Sequence, residues 1–175
     1  TDTAPSSCLQ GETAVPMATM DIRVSSLTLK SVDGRPELRK IRMYLNFTGG
    51  SSEPSDYDAD IKAVKIYTDS NGDGKLTRVW NTDTLNYEVS GDELISDGRD
   101  KFSGNLCEVN LTTAPVLLST STKIFIAFDI EPWANTNDSV GINIGHFTND
   151  WIGINPPERI IDSGSFSSAL TLIKS

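Results

Sequence analysis

The stretch KIRMYLNF, residues 40–47, alternates between apolar side chains and polar or amphipathic ones. The apolar set consists of Ile41, Met43, Leu45 and Phe47. A repeat of two residues is typical of a half-buried β-strand, because successive side chains of a strand point to opposite faces of the sheet. The stretch therefore predicts a strand with one face in a hydrophobic core.

The same alternation recurs along the chain and predicts an all-β protein. The other alternating sets are Leu85, Tyr87 and Val89; Cys107, Val109 and Leu111; and Val140, Ile142 and Ile144. The segment KIFIAFDI, residues 123–130, is apolar on both faces, which is typical of a central strand. Less regular strand candidates are residues 17–24, 27–32, 61–68 and 169–173.

Turn-forming clusters of Gly, Pro, Asn, Asp and Ser separate these segments, and no stretch has a sustained helical period. Eight to ten short strands at this spacing predict a two-sheet antiparallel β-sandwich, with any helix limited to a turn or two. Residues 1–14 are polar and lack alternation, which predicts an extended N-terminal tail. Residues 15–175 are then one β-sandwich domain.

Charge and hydropathy exclude several classes of partner. The formal net charge of −9 argues against nucleic acid, whose phosphates require clustered Lys and Arg. The longest continuous apolar stretch is residues 124–128, far short of the roughly 20 residues of a membrane span. An acidic chain of this kind is suited to the capture of divalent cations.

The sharpest motif is DSNGDGK, residues 69–75, directly after a predicted strand. Asp69, Asn71 and Asp73 occupy alternate positions of a DxNxDG calcium loop, and the carbonyl of Lys75 stands at the seventh position. Calcium requires six to eight hard oxygen ligands, which alternate side chains of a tight loop bring together. The alternative interpretation is a plain β-turn stabilised by Asp, Asn and Gly, without a metal.

The motif differs from an EF-hand because its twelfth position is Trp80, which cannot bind calcium, and its flanks are strands. A further carboxylate must come from elsewhere in the chain. The acidic pair of GDELI, Asp92 and Glu93, is the first candidate, and Asp60 is the second.

The two cysteines, Cys8 and Cys107, lack the CxxC spacing of metal or haem sites. We expect a disulfide that holds the N-terminal tail to the domain, since closing a loop of about 100 residues stabilises a fold by about 4–5 kcal/mol. The alternative is a pair of buried free thiols in a cytosolic protein.

Several segments in this order resemble a repeat family of secreted bacterial and archaeal surface proteins. The segments are VPM (15–17), DADIKAVKIYTDSNGDG (58–74), GDELI (91–95), FIAFDIEPWA (125–134) and NDSVGINIG (137–145). The resemblance implies an immunoglobulin-like or fibronectin-like sandwich, and it places Asp69, Asn71, Asp73 and Asp92 at a cation site. Residues 77–90 are an insertion relative to that pattern, which we expect to form a hairpin beside the loop.

No catalytic motif is present, and we expect no enzymatic activity. His146, the only histidine, follows an alternating strand and is interpreted as structural. The sequence contains three N-glycosylation sequons, at Asn46, Asn110 and Asn137.

The leading hypothesis is an extracellular structural subunit of a filament, surface layer or adhesin stalk, stiffened by Ca²⁺. Its partners would be copies of itself or other surface proteins, which strand edges and the tail could contact. The alternative is a carbohydrate-binding module attached to a secreted enzyme. In that case Trp80, Tyr87 and Trp151 would contact polysaccharide; otherwise these rings cover the core edge or meet a neighbouring subunit.

Overall fold

The computed structural model describes residues 4–23, 36–117, 122–146, 148, 150–155 and 166–175. These residues form β-strands for the most part, which confirms the predicted all-β class. The elements are β1 (Ser7–Leu9), β2 (Val15–Ile22), β3 (Glu37–Thr48), α1 (Pro54–Asp60), β4 (Ile61–Thr68), β5 (Arg78–Asn81), β6 (Asn86–Val89), β7 (Glu93–Leu94), β8 (Leu106–Asn110), β9 (Thr122–Ile130), β10 (Ser139–Ile144), β11 (Ile152–Asn155), β12 (Phe166–Ser167) and β13 (Thr171–Lys174).

Three of the four alternating sets form strands with the predicted face buried; in the fourth, Leu85 is 71% exposed in the turn before β6, and Tyr87 and Val89 are only partly buried, because the hairpin lies at the surface. Ile41 and Met43 of β3 are fully buried, as are Val109 of β8 and Ile142 of β10. Residues 61–68 form β4, and residues 17–24 overlap β2. The strand candidate at residues 27–32 lies outside the described residues.

Sheet A is built around the long strand β3. Strands β8 and β11 both pair with residues 40 and 41 of β3, so they lie on opposite sides of it. Strand β10 pairs with the second half of β3 on the side of β11, and β12 and β13 pair with the outer side of β10. Strand β1 then adds to β13 in parallel, as the first strand at that edge.

Sheet B has the order β2-β9-β4-β7, and all its pairs are antiparallel. Strand β9 corresponds to the predicted central segment, and its residues from Ile124 to Ile130 are all buried. Its inner side chains and those of sheet A belong to one hydrophobic cluster, which includes Ile126, Phe128, Met43 and Ile142. Burial of each such side chain contributes about 1.5–3 kcal/mol to folding.

The outer face of sheet B carries a second, smaller cluster of Ala14, Tyr67, Phe125 and Ala127. Leu76 and Val89 pack against it from the segment that contains β5 and β6. These two strands pair only with each other and form the predicted hairpin within residues 77–90. The hairpin therefore covers apolar side chains that would otherwise face water.

Helix α1 connects β3 to β4. Pro54 at its start and the reciprocal contacts between Glu53 and Asp56 are common features of a helix N-terminus. Within the described residues, no helix has the length and apolar character needed to cross a membrane.

The N-terminal segment differs from the predicted extended tail. Residues Ser7–Leu9 pair with β13, and Cys8 and Ala14 are buried. Alternation does not identify a strand of three residues, because so short a strand has only one residue that faces the core. This segment is therefore part of sheet A.

The predicted disulfide between Cys8 and Cys107 is wrong, because both cysteines are free. Cys8 lies in β1 and Cys107 lies in β8, at opposite edges of sheet A. Four strand spacings of about 4.8 Å separate them, far more than a disulfide spans. Burial raises the pKa of each thiol to about 12.

We expect both thiols to be unreactive towards an aromatic disulfide reagent in the native protein, because they are buried and protonated. In concentrated guanidinium chloride, without any reductant, the same reagent should titrate both cysteines of each chain. Dithiothreitol should leave the Tm unchanged. A disulfide would instead leave no thiol to titrate until a reductant is added.

Candidate metal centre

The segment from Asp69 to Lys75 is a tight loop that joins β4 to the hairpin. Gly72 and Gly74 have φ angles of 73° and 76°, a region that glycine adopts without strain. The backbone N–H of Asp73 donates to Asn71 Oδ1 at 3.0 Å, and that of Gly74 donates to Asp69 Oδ2 at 3.0 Å. Short Asp and Asn side chains therefore hold the loop closed by bonds to its own backbone.

The chain returns to this loop after β6, and Asp92 arrives beside it. Asp92 Oδ1 accepts a hydrogen bond of 3.2 Å from the N–H of Ser70. The hydroxyl of Ser70 accepts one of 3.1 Å from the N–H of Glu93. The structure thus brings Asp92 next to Asp69 and Asp73, as the sequence predicted, whereas the Glu93 side chain is exposed at the start of β7.

Two carboxylate oxygens of this cluster have no hydrogen-bond donor. Asp69 Oδ1 and Asp92 Oδ2 are both buried from solvent and unpartnered. Burial raises the pKa of Asp92, and the negative charges of Asp69 and Asp73 raise it further, against backbone hydrogen bonds that lower it. These oxygens face a region that needs either a proton or a cation.

No described Lys or Arg neutralises this cluster through an ion pair. Lys123 passes close to Gly74, but its ammonium bonds Asp21 at 2.9 Å. Lys75 is exposed at the end of the loop. The local charge is therefore negative and uncompensated.

The remaining loop ligands are already engaged. Asp73 Oδ1 accepts from the N–H of Lys75 at 2.8 Å, and its Oδ2 accepts from the Asn71 amide at 3.1 Å. Within the part of the chain that the structure describes, no three His, Cys, Asp or Glu side chains come together as a complete metal site. The residues fit a cation through Asp69 and Asp92, and Asn71 and Asp73 could contribute only if their mutual contact opens.

Asp60, the second candidate ligand, lies at the opposite end of β4 from the loop. The eight residues of β4 separate the two ends by roughly 26 Å, at about 3.3 Å per residue. Asp60 is buried, and its Oδ1 accepts 2.7 Å and 3.3 Å hydrogen bonds from the backbone and side-chain nitrogens of Asn135. It therefore cannot contribute to the loop.

Asp60 instead pairs with the buried Asp138. Burial raises the pKa of Asp60 to about 7; the Asn135 backbone bond lowers it, and the hydrogen bond and charge of Asp138 raise it. Asp138 Oδ1 accepts from the N–H groups of Gly50 and Ser51 at 2.9 Å each, and its Oδ2 accepts from the Ser51 hydroxyl. Asp60 Oδ2 is buried without a hydrogen-bond partner, so it is the oxygen that is free to carry a proton when Asp60 is neutral.

The predicted sugar-contact aromatics do not form one flat platform. The rings of Trp80 and Tyr87 meet edge to face at 76°, and Arg78 covers Tyr87 at 4.4 Å. Trp151 lies on sheet A, half buried, and contacts the ring of Tyr44 and the guanidinium of Arg42. Trp80 alone remains half exposed, on the hairpin.

The three sequons and His146 are distant from the loop in sequence, and they lie in or next to strands of sheet A. Asn46 is half buried in β3, Asn110 is exposed at the end of β8, and Asn137 is exposed in the turn before β10. His146 is exposed just after β10. Glycosylation of the three asparagines stays a prediction.

Arg78 is a structural residue that the sequence analysis missed. It bonds Glu12 Oε1 at 2.8 Å and the carbonyl of Thr13 at 3.1 Å, and so ties the hairpin to the N-terminal segment. Asn86 supports the same contact, because its Oδ1 accepts from the N–H of Thr13 at 3.0 Å. The partners are more than 60 residues apart, so no local pattern could have revealed them.

We predict that Asp60→Asn stabilises the protein increasingly as the pH rises through about 7. The pKa of Asp60 is about 7 in the folded protein and 3.8 in the unfolded chain, so the folded state favours the protonated form. The stability that this difference contributes is fully present below pH 3.8 and is lost as the pH rises through about 7. Asparagine is neutral at every pH and can still donate to Asp138. The gain in free energy of unfolding above pH 7.5 should be about 1–2 kcal/mol.

Urea unfolding of both proteins across this pH range measures the difference. Asp83→Asn, in the exposed turn of the hairpin, is the matched control and should show no such trend. A constant difference between Asp60→Asn and the wild type at all pH values would contradict the raised pKa of Asp60.

Comparison of the chain with protein-family models, with curated proteins and with solved structures gave no match. The function is therefore argued from the geometry of these residues alone.

Proposed function

We propose that this chain is an extracellular structural module, stiffened by calcium at the loop from Asp69 to Lys75. The observation that carries the proposal is the pair of buried, unpartnered oxygens, Asp69 Oδ1 and Asp92 Oδ2. The negative charge of Asp69 acts on Asp92 and destabilises the folded state, and a calcium ion bound by both carboxylates would replace repulsion by coordination.

The incomplete ligand set supports a site of low affinity. Only Asp69 and Asp92 have free oxygens, and Asn71 and Asp73 must exchange their mutual contact for the ion. Such sites bind calcium with Kd values of about 10⁻⁴–10⁻³ M, which suits modules outside the cell. This argument supports the predicted extracellular location independently of any disulfide.

The finer architecture that we propose is an immunoglobulin-like or fibronectin-like sandwich, of the kind found in repeats of bacterial and archaeal surface proteins. The shared hydrophobic cluster of sheets A and B supports two packed layers. Strand β11 stands at a sheet edge among the described strands, where a strand from a neighbouring copy could add. The module would then act as a scaffold without catalysis.

Calcium at about 1 mM should raise the free energy of unfolding by about 0.4–1.4 kcal/mol relative to a chelator. Asp69→Asn and Asp92→Asn should each lose most of this increment. In the chelator these variants should equal or exceed the wild type in stability, because each removes one of the repelling charges. Thermal melting with calcium, with magnesium and with chelator measures the effect.

Asp83→Asn changes the net charge equally but lies in the hairpin turn, so it should keep the full calcium increment. An unchanged Tm of the wild type on chelation would rule out the calcium site. If Asp83→Asn loses as much of the calcium increment as Asp69→Asn and Asp92→Asn do, the increment comes from net charge rather than from coordination.

A further inference from the structure

Basic side chains surround a cavity on the outer face of sheet B. The cavity measures about 480 Å³. Its charged lining residues are Lys62, Lys65, Arg99, Lys101, Asp129 and Glu131. The two acidic side chains are only 6% and 7% exposed, whereas Lys62, Arg99 and Lys101 are exposed. The charges at the rim are therefore positive, on a chain whose net charge is −9.

The exposed cations of this rim are not neutralised. Lys65 pairs with Asp129 at 2.7 Å, but Lys62, Arg99 and Lys101 form no ion pair with any described carboxylate. Asp97 and Asp100 flank Arg99 in sequence, but neither forms an ion pair with it or with Lys101. An anionic ligand would therefore find free cations here.

Trp133 stands at the same cavity with an exposed indole ring. Its side chain is 73% exposed, and within the described residues it contacts no other ring and no cation. Its backbone is held, because the N–H of the buried Ala134 donates to the carbonyl of Glu131 at 3.1 Å and the Gln10 amide bonds the carbonyl of Ala134. The ring is thus presented to solvent from a fixed turn.

A second cavity of about 500 Å³ shares Lys65 with the first. Its other charged lining residues are Glu88 and Asp92, so it carries no free cation and belongs to the side of the acidic loop. We therefore name the first cavity alone the basic groove. It lies on the outer face of sheet B, with Trp133 and the exposed cations Lys62, Arg99 and Lys101 in its lining.

We propose that the basic groove binds an acidic polysaccharide, with Trp133 stacked on a sugar ring and Lys62 and Lys101 paired with its carboxylates. An aromatic ring provides the apolar surface that a sugar face covers, and free ammonium groups select charged sugars. This site is distinct from the calcium loop and does not depend on it.

The test is affinity electrophoresis in gels that contain polygalacturonate, its methyl-esterified form or poly-L-glutamate, all with chelator. The wild type should be retarded by polygalacturonate only. Trp133→Ala and the double variant Lys62→Gln/Lys101→Gln should each weaken the apparent Kd by about tenfold. The chelator keeps the outcome separate from the calcium proposal, which is tested by melting.

Lys174→Gln and Trp80→Ala are the matched controls, since neither residue lines the basic groove. Both should bind like the wild type, and circular dichroism confirms that each variant is folded. Absence of retardation by polygalacturonate overturns the proposal. Equal retardation by the methyl-esterified polymer overturns the role of the lysines. Equal retardation by poly-L-glutamate overturns the choice of ligand and assigns the site to acidic peptides. A loss of binding in Trp80→Ala alone moves the site to the hairpin.

Discussion

The rest of the structure depends on the burial of β9 on both of its faces. Its inner side chains, such as Phe128, join the core shared with sheet A, and its outer side chains include Phe125 and Ala127. A strand that is apolar on both faces is stable only if both faces are covered. Sheet A covers one face, and the hairpin of β5 and β6 covers part of the other.

The packing of the hairpin on the outer face of sheet B determines where the candidate metal loop lies. The loop leaves the end of β4 and enters the hairpin, and the chain returns from the hairpin at Asp92. Leu76 and Val89, at the two ends of the hairpin, pack on the outer cluster of sheet B, and Arg78 ties the hairpin to Glu12 of the N-terminal segment. The hairpin thus holds both sides of the acidic cluster in place.

Much of the fold could be predicted because alternation is a local property of the chain. Long strands such as β3 and β9 carry the pattern over many residues, and the hairpin was predicted from its place between two motifs. The pairing of β1 with β13 could not be predicted, since it joins residues more than 160 positions apart through three backbone pairs. The disulfide was inferred from cysteine count alone, which contains no information on sheet order.

Only part of the candidate site could be predicted from the sequence. Asp69, Asn71 and Asp73 follow from spacing, and Asp92 follows from the resemblance to a surface-repeat pattern. Asp60 was misplaced because it is near the loop in sequence, whereas the extended strand between them carries it to the far end of the sheet. The exposed Trp133 had no local signal, because it lies in the turn between β9 and β10, where no alternating pattern indicates which side chains are buried.

Strand β4 thus has a group of carboxylates at each of its ends, with Asp60 and Asp138 at the start and Asp69 and Asp92 at the end. Burial raises the pKa of Asp60 at the start of this strand and of Asp92 beside its end, and nearby carboxylates raise both further. Mild acid would therefore relieve like-charge repulsion at both ends of one short strand.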